Sequence, residues 1–197
     1  MKKINDFIIE KLKISETSFM LEKLKINSKS KIKNYKYFPK DRGELNLILM
    51  EKKKELDEHD YKIDCSDIDV SGIEDLSELF KEENYNEINI EGWNLKKCKT
   101  LKSMFYDCIY LKRVIGFDSL DISNVKDLSF IFSRCTNLKD IGDLSEWDVK
   151  DKNLAYAFQS CKKLKSIGDL SKWNLKNPVW STFEDCAINI SSLHKKV

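Results

Sequence analysis

A four-residue pattern, Phe-x-x-Cys, returns four times in this chain and limits what it can fold into more than any other feature. It stands as Phe105-Tyr106-Asp107-Cys108, Phe132-Ser133-Arg134-Cys135, Phe158-Gln159-Ser160-Cys161 and Phe183-Glu184-Asp185-Cys186, with the phenylalanines 27, 26 and 25 residues apart. Four positions before each phenylalanine stands Leu101, Leu128, Leu154 or Val179. Apolar residues at i, i+4 and i+7 share one side of a helical turn, so this spacing predicts a short helical stretch with Leu, Phe and Cys facing inward. After the first three cysteines come Leu111, Leu138 or Leu164, then Val114, Ile141 or Ile167, then Gly116, Gly142 or Gly168. That order reads as a short extended segment closed by a turn.

The copies extend beyond this core. Leu144-Ser145-Glu146-Trp147-Asp148-Val149 and Leu170-Ser171-Lys172-Trp173-Asn174-Leu175 are near duplicates, and Glu91-Gly92-Trp93-Asn94-Leu95 is an earlier version. A first unit, running from Asp69 to Phe80, is degenerate and lacks the cysteine. A unit of this length cannot bury its apolar face alone, so neighbours must stack and their Leu, Phe, Cys and Ile positions must form ladders.

The sequence Trp-Asp/Asn-Val/Leu followed by Leu-x-x-x-Phe-x-x-Cys-x-x-Leu-Lys-x-Ile-Gly resembles the BspA-type leucine-rich-repeat family, over roughly residues 66 to 190. The resemblance implies a solenoid used for adhesion or protein binding, with no catalytic residue to carry over. The expected fold class is therefore α/β: a short leucine-rich-repeat solenoid over residues 63–190, behind a small, basic, mainly helical cap in residues 1–62 and before a tail in residues 191–197. Within the cap, Ile4, Phe7, Ile8 and Leu12 suggest one helix and Phe19, Leu21, Leu24 and Ile26 a second short element. Asp41 is placed to cap a helix from about Gly43 to Glu58, with Leu45, Ile48, Leu49 and Leu56 inward.

Charge separates the start of the chain from the rest. Residues 1 to 42 hold 12 Lys plus Arg against 5 Asp plus Glu, a net of +7, which leaves 23 against 28, a net of −5, for the remainder. Lys29, Lys31, Lys33 and Lys36 alternate with other residues up to Tyr35 and Tyr37, a combination that suits contact with nucleic acid or an acidic surface. The same lysines also suit a merely solvated face. No stretch approaches the roughly 20 apolar residues of a membrane helix, and acidic residues interrupt the start, so neither anchor nor signal peptide is expected and a cytoplasmic location follows.

Chemistry has little foothold. Six cysteines occur, none in a Cys-x-x-Cys pair, and the repeat spacing of the Phe-x-x-Cys segments, taken as helices with axes about 8–10 Å apart, argues against disulfides. Reduced, buried thiols are expected. The two histidines, His59 and His194, lie in no motif. No phosphate loop, nucleophile elbow or paired-carboxylate signature stands out, so no catalytic residue, metal or cofactor is expected.

Binding remains. Two positions before each core phenylalanine stand Ser103, Phe130, Tyr156 and Ser181, which helical geometry turns outward; three before it stand Lys102, Ser129, Ala155 and Trp180. Trp180 is out of pattern. Phe130, Tyr156 and Trp180, with Tyr106 and Tyr110 nearby, form the candidate partner-binding strip, unless the basic cap covers it. Trp93, Trp147 and Trp173 recur with the repeat and are assigned to the core. The expected function is a non-catalytic protein-interaction module, monomeric on its own. Two alternatives stand beside it: a small mobile-element, phage-type inhibitor of a host nuclease or ribonucleoprotein acting through the basic start, and a secreted adhesin.

Overall fold

The computed structural model describes residues 35–57, 60–175 and 178–190. The α/β leucine-rich-repeat solenoid with a mainly helical cap is not what forms. Among the described residues the helices are α1 (Arg42–Lys54) and the four-residue α2 (Val179–Thr182), with one 3-10 turn at Leu170–Lys172. The strands β1 (Lys62–Asp64), β2 (Glu87–Asn89) and β3 (Arg113–Ile115) are three residues each and make a single parallel sheet in the order β1-β2-β3. Most of the described chain is turns and irregular segments.

The reason lies in the Leu-x-x-x-Phe-x-x-Cys segments. The amides of Met104, Tyr106 and Cys108 bond back to the carbonyls of Leu101, Ser103 and Phe105, closing a series of four-residue turns. The alternate amides, of Leu101, Ser103, Phe105 and Asp107, bond instead to Asp127, Ser129, Ile131 and Ser133 in the next repeat. A helix keeps its interior amides within itself, so this division of donors forbids one. Left-handed backbone makes the alternation possible: Ser103 and Asp107 have φ of 55° and 57°, Phe130 and Arg134 57° and 66°, Tyr156 and Ser160 57° and 58°. Positive φ at the third residue is what a type II turn requires. The apolar spacing that resembles a helix is thus produced by turns, and the segments lie side by side.

Pairing between repeats is parallel and in register. Ile63 stands opposite Ile88 and Ile88 opposite Val114, while isolated bridges join Asp75, Thr100, Asp127 and Asn153 in a second column. The corners are held by short polar side chains that accept from the amide two residues on: Asp69 from Ser71, Asn94 from Lys96, Asp121 from Ser123 and Asp148 from Lys150. Asp and Asn favour such turns because their side chains mimic a backbone carbonyl. At Gly116, φ is +80° and an added Cβ would sit 2.4 Å from the Cα of Glu91, so the preceding repeat approaches too closely for any side chain.

Inside, Phe80, Phe105, Phe132, Phe158 and Phe183 stack face to face, with successive centroids 5.5, 4.9, 5.9 and 5.4 Å apart. Trp93, Trp147 and Trp173 are buried, and their indole N–H groups donate to the carbonyls of Cys65, Asp118 and Leu144 in the preceding repeat. Asp41 caps α1 by accepting from the Glu44 amide, and Leu45 and Ile48 are fully buried. The helix stops at Lys54, short of the expected Glu58. Arg42 also reaches the Asp75 carbonyl at 3.1 Å, tying α1 to the first repeat.

Candidate interaction surface

Phe130 and Tyr156 occupy one column because the Phe130 amide bonds to Ala155 and the Tyr156 amide to Ser181. Their rings stack at 5.1 Å with an interplanar angle of 19°, and both are half-buried. The other members of that column differ from expectation: Ser103 and Ser181 are buried, because their backbone runs inside a layered turn and not on the outer face of a helix. Trp180 projects from α2, where Pro178 precedes the helix and accepts from the Ser181 amide. At 64% exposure it is the most open large apolar side chain among the described residues.

The other sequence candidates lie in different settings. Tyr106 is half-buried beneath the Lys81 ammonium, 5.8 Å from its ring centre. Tyr110 is 54% exposed and belongs to a separate slot with Tyr61. Tyr35 is half-buried and donates its hydroxyl to the Gly92 carbonyl. Tyr37 bridges its backbone to Ile68 and lies under the Lys52 ammonium at 5.1 Å, while Lys36 pairs with Asp67 at 3.6 Å. Tyr35, Lys36 and Tyr37 are therefore tied to the first repeat. Lys29, Lys31 and Lys33 lie outside the described residues, as do His59, His194, the elements expected before Tyr35 and the tail.

All six cysteines are free thiols, five of them buried. The thiols of Cys108, Cys135 and Cys161 donate to the carbonyls of Phe80, Phe105 and Phe132, one repeat back. Burial raises Cys65 and Cys135 well above the ordinary thiol range and Cys98 to about 11. Cys186, half-buried, is lowered by the hydrogen bond it shares with Cys161. The helix-spacing argument against disulfides does not survive, because hydrogen-bonded repeats sit about 4.8 Å apart. Among the described residues no group of three or more His, Cys, Asp or Glu side chains is placed to hold a metal ion. No helix among them is long and apolar enough to cross a membrane.

One charged residue went unnoticed in the sequence. Lys152 falls in the column of Ile73, Cys98 and Val125, as equivalent turn bonds to Val149, Val70, Leu95 and Ile122 show. Its side chain is buried, and its ammonium donates to the carbonyls of Ile122 at 2.7 Å and Val125 at 2.8 Å. Burial lowers its pKa. Aligning the repeats on this column would have exposed the lysine as a misfit.

The repeat units that build these columns match a known family model. The model described as "Mycoplasma protein of unknown function, DUF285" covers residues 51–166 and 114–187. The chain belongs to this family. It is a family associated with BspA-like repeat proteins. No curated protein and no solved structure matches the chain.

Proposed function

We propose that this DUF285 member is a non-catalytic binding module that takes a protein partner on the face formed by Phe130, Tyr156 and Trp180. The observation that carries the reading is the 64% exposure of Trp180 one repeat beyond the stacked Phe130–Tyr156 pair. Large aromatic rings held rigidly at a surface concentrate binding energy, since they bury much area at small entropic cost. Left-handed backbone at Phe130 and Tyr156 adds to the argument: L residues resist that conformation by about 1–2 kcal/mol, and polar residues hold the same position in the preceding repeats, at Glu78 and Ser103. The likeness of the Trp-Asp/Asn and Phe-x-x-Cys motifs to BspA-type leucine-rich repeats supports a binding role over catalysis.

The double variant Tyr156→Ala/Trp180→Ala tests it. Affinity capture from a lysate of the source cell should lose the specific partner, while thermal unfolding changes little beyond the loss of the Phe130–Tyr156 stack. Retention of the same partner by the double variant refutes the reading.

A further inference from the structure

A second surface shares no residue with the Phe130–Tyr156–Trp180 face. The residues just before β1, β2 and β3 form one column: the Asn86 amide bonds to the Tyr61 carbonyl at 2.7 Å, the Lys112 amide to Asn86 at 2.8 Å and the Lys139 amide to Lys112 at 3.0 Å. Lys165 follows the buried Leu164 as Lys112 follows Leu111 and Lys139 follows Leu138, which places it next along the same edge. Lys112, Lys139 and Lys165 are all exposed, and among the described residues none of the three has an ion-pair partner. Their neighbours are neutralised: Lys62 pairs with Glu87 and Arg113 with Asp140. At about 4.8 Å per repeat, three unpaired ammonium groups span about 10 Å.

The column begins in an aromatic slot. Tyr61, 49% exposed, and Tyr110, 54% exposed, line it together with Asn84, Asn86 and Lys112, enclosing a cavity volume of about 420 Å³. The carboxamides of Asn84 and Asn86 make no hydrogen bond with any described residue, so each offers both donors and an acceptor to the slot. Half-exposed rings, free amides and a row of cations each match one part of an unpaired nucleotide: base face, base edge and phosphate. An acidic peptide would satisfy the lysines and leave rings and amides unmatched. A duplex would hide its base faces.

We infer that the edge running from Tyr61 and Tyr110 through Lys112, Lys139 and Lys165 binds single-stranded nucleic acid, with a base on the tyrosines and phosphates on the lysines. The full chain is titrated into fluorescein-labelled 15-nucleotide single strands, one RNA and one DNA, and anisotropy is read from 50 to 200 mM salt. Three phosphate contacts at about 0.7 each give a log–log slope near −2, so the fourfold rise in salt should weaken binding roughly 20-fold. Lys112→Gln/Lys139→Gln/Lys165→Gln should flatten the slope to near zero, and Lys139→Gln alone should reduce it by about 0.7. Tyr61→Ala and Tyr110→Ala should each weaken binding about fivefold or more with the slope unchanged. Trp180→Ala should leave it as it is, so this inference and the protein-binding reading can fail separately. Binding of both strands, or of the RNA alone, supports the inference. It is overturned by absence of binding at 50 mM salt, by a wild-type slope in the triple lysine variant, or by equal competition from polyglutamate or a duplex of the same length.

Discussion

Replacing Lys152 by methionine isolates the contribution of one buried ammonium to the stack. Methionine keeps most of the length and the apolar stem, so the column of Ile73, Cys98 and Val125 stays filled while the cation disappears. Two carbonyls, of Ile122 and Val125, then lose a donor at 2.7 and 2.8 Å. The Ile122 carbonyl keeps the Val125 amide at 2.9 Å and loses one charge-assisted bond, while the Val125 carbonyl is orphaned; at about 1.5–3 and 1–3 kcal/mol the two losses come to about 2.5–6 kcal/mol. Against this stands the relief of no longer burying a charge, itself several kcal/mol. The same burial lowers the Lys152 pKa. The balance predicts a net loss of about 2 kcal/mol for Lys152→Met, and about 4 kcal/mol for Lys152→Ala, which adds a cavity. For a chain of 197 residues, the methionine variant should melt about 4–8 °C lower. Urea unfolding with an unchanged m value gives the free energy directly. A Lys152→Met protein as stable as the parent, or more so, would show that the carbonyls do not need the ammonium and that the reasoning is wrong.

Gly116→Ala should destabilise by about 3 kcal/mol or more, since its +80° φ and the 2.4 Å approach to Glu91 leave no relaxed conformation; a change within 0.5 kcal/mol on urea unfolding would contradict the close packing of repeats. Asp121 and Asp169 are held below the ordinary carboxyl range chiefly by the Ser123 and Ser171 amides, and Asp143 chiefly by the Ser145 hydroxyl. A lowered folded value means this stability is fully present above the unfolded value of 3.8 and is lost as pH falls through the folded values, so Asp143→Asn, which keeps an acceptor, should flatten the acid limb of a melting-temperature profile. Thiol labelling at pH 8 should modify Cys186 fast and the other five cysteines only on unfolding; rapid native labelling of Cys135 would contradict its burial.

The repeat itself was legible, because Phe105, Phe132, Phe158 and Phe183 had to meet to be buried, and they do. The burial of Trp93, Trp147 and Trp173 followed from the same periodicity. Secondary structure did not follow. Apolar residues at Leu101, Phe105 and Cys108 fit a helix and a run of turns equally well, and the deciding fact, left-handed backbone at Ser103 and Asp107, leaves no apolar pattern behind. Phe130 and Tyr156 in that conformation contradict local preference, which is why no propensity argument finds it. Of the candidate strip, Trp180 was visible as a residue out of pattern, whereas the stacking of Phe130 on Tyr156 required knowing that their columns touch. The slot at Tyr61 was invisible because Tyr61 and Tyr110 belong to units two repeats apart, and the free lysines could not be told from paired ones until Glu87 and Asp140 were placed.

The proposed binding face is tested most directly by a photocrosslink from position 180. With p-benzoylphenylalanine in place of Trp180, irradiation in the source cell should yield a discrete crosslinked protein that the same group placed at Glu91, remote in the repeat pattern, does not capture. A crosslink that appears equally from position 91, or that appears from neither position, would contradict a partner seated on Phe130, Tyr156 and Trp180.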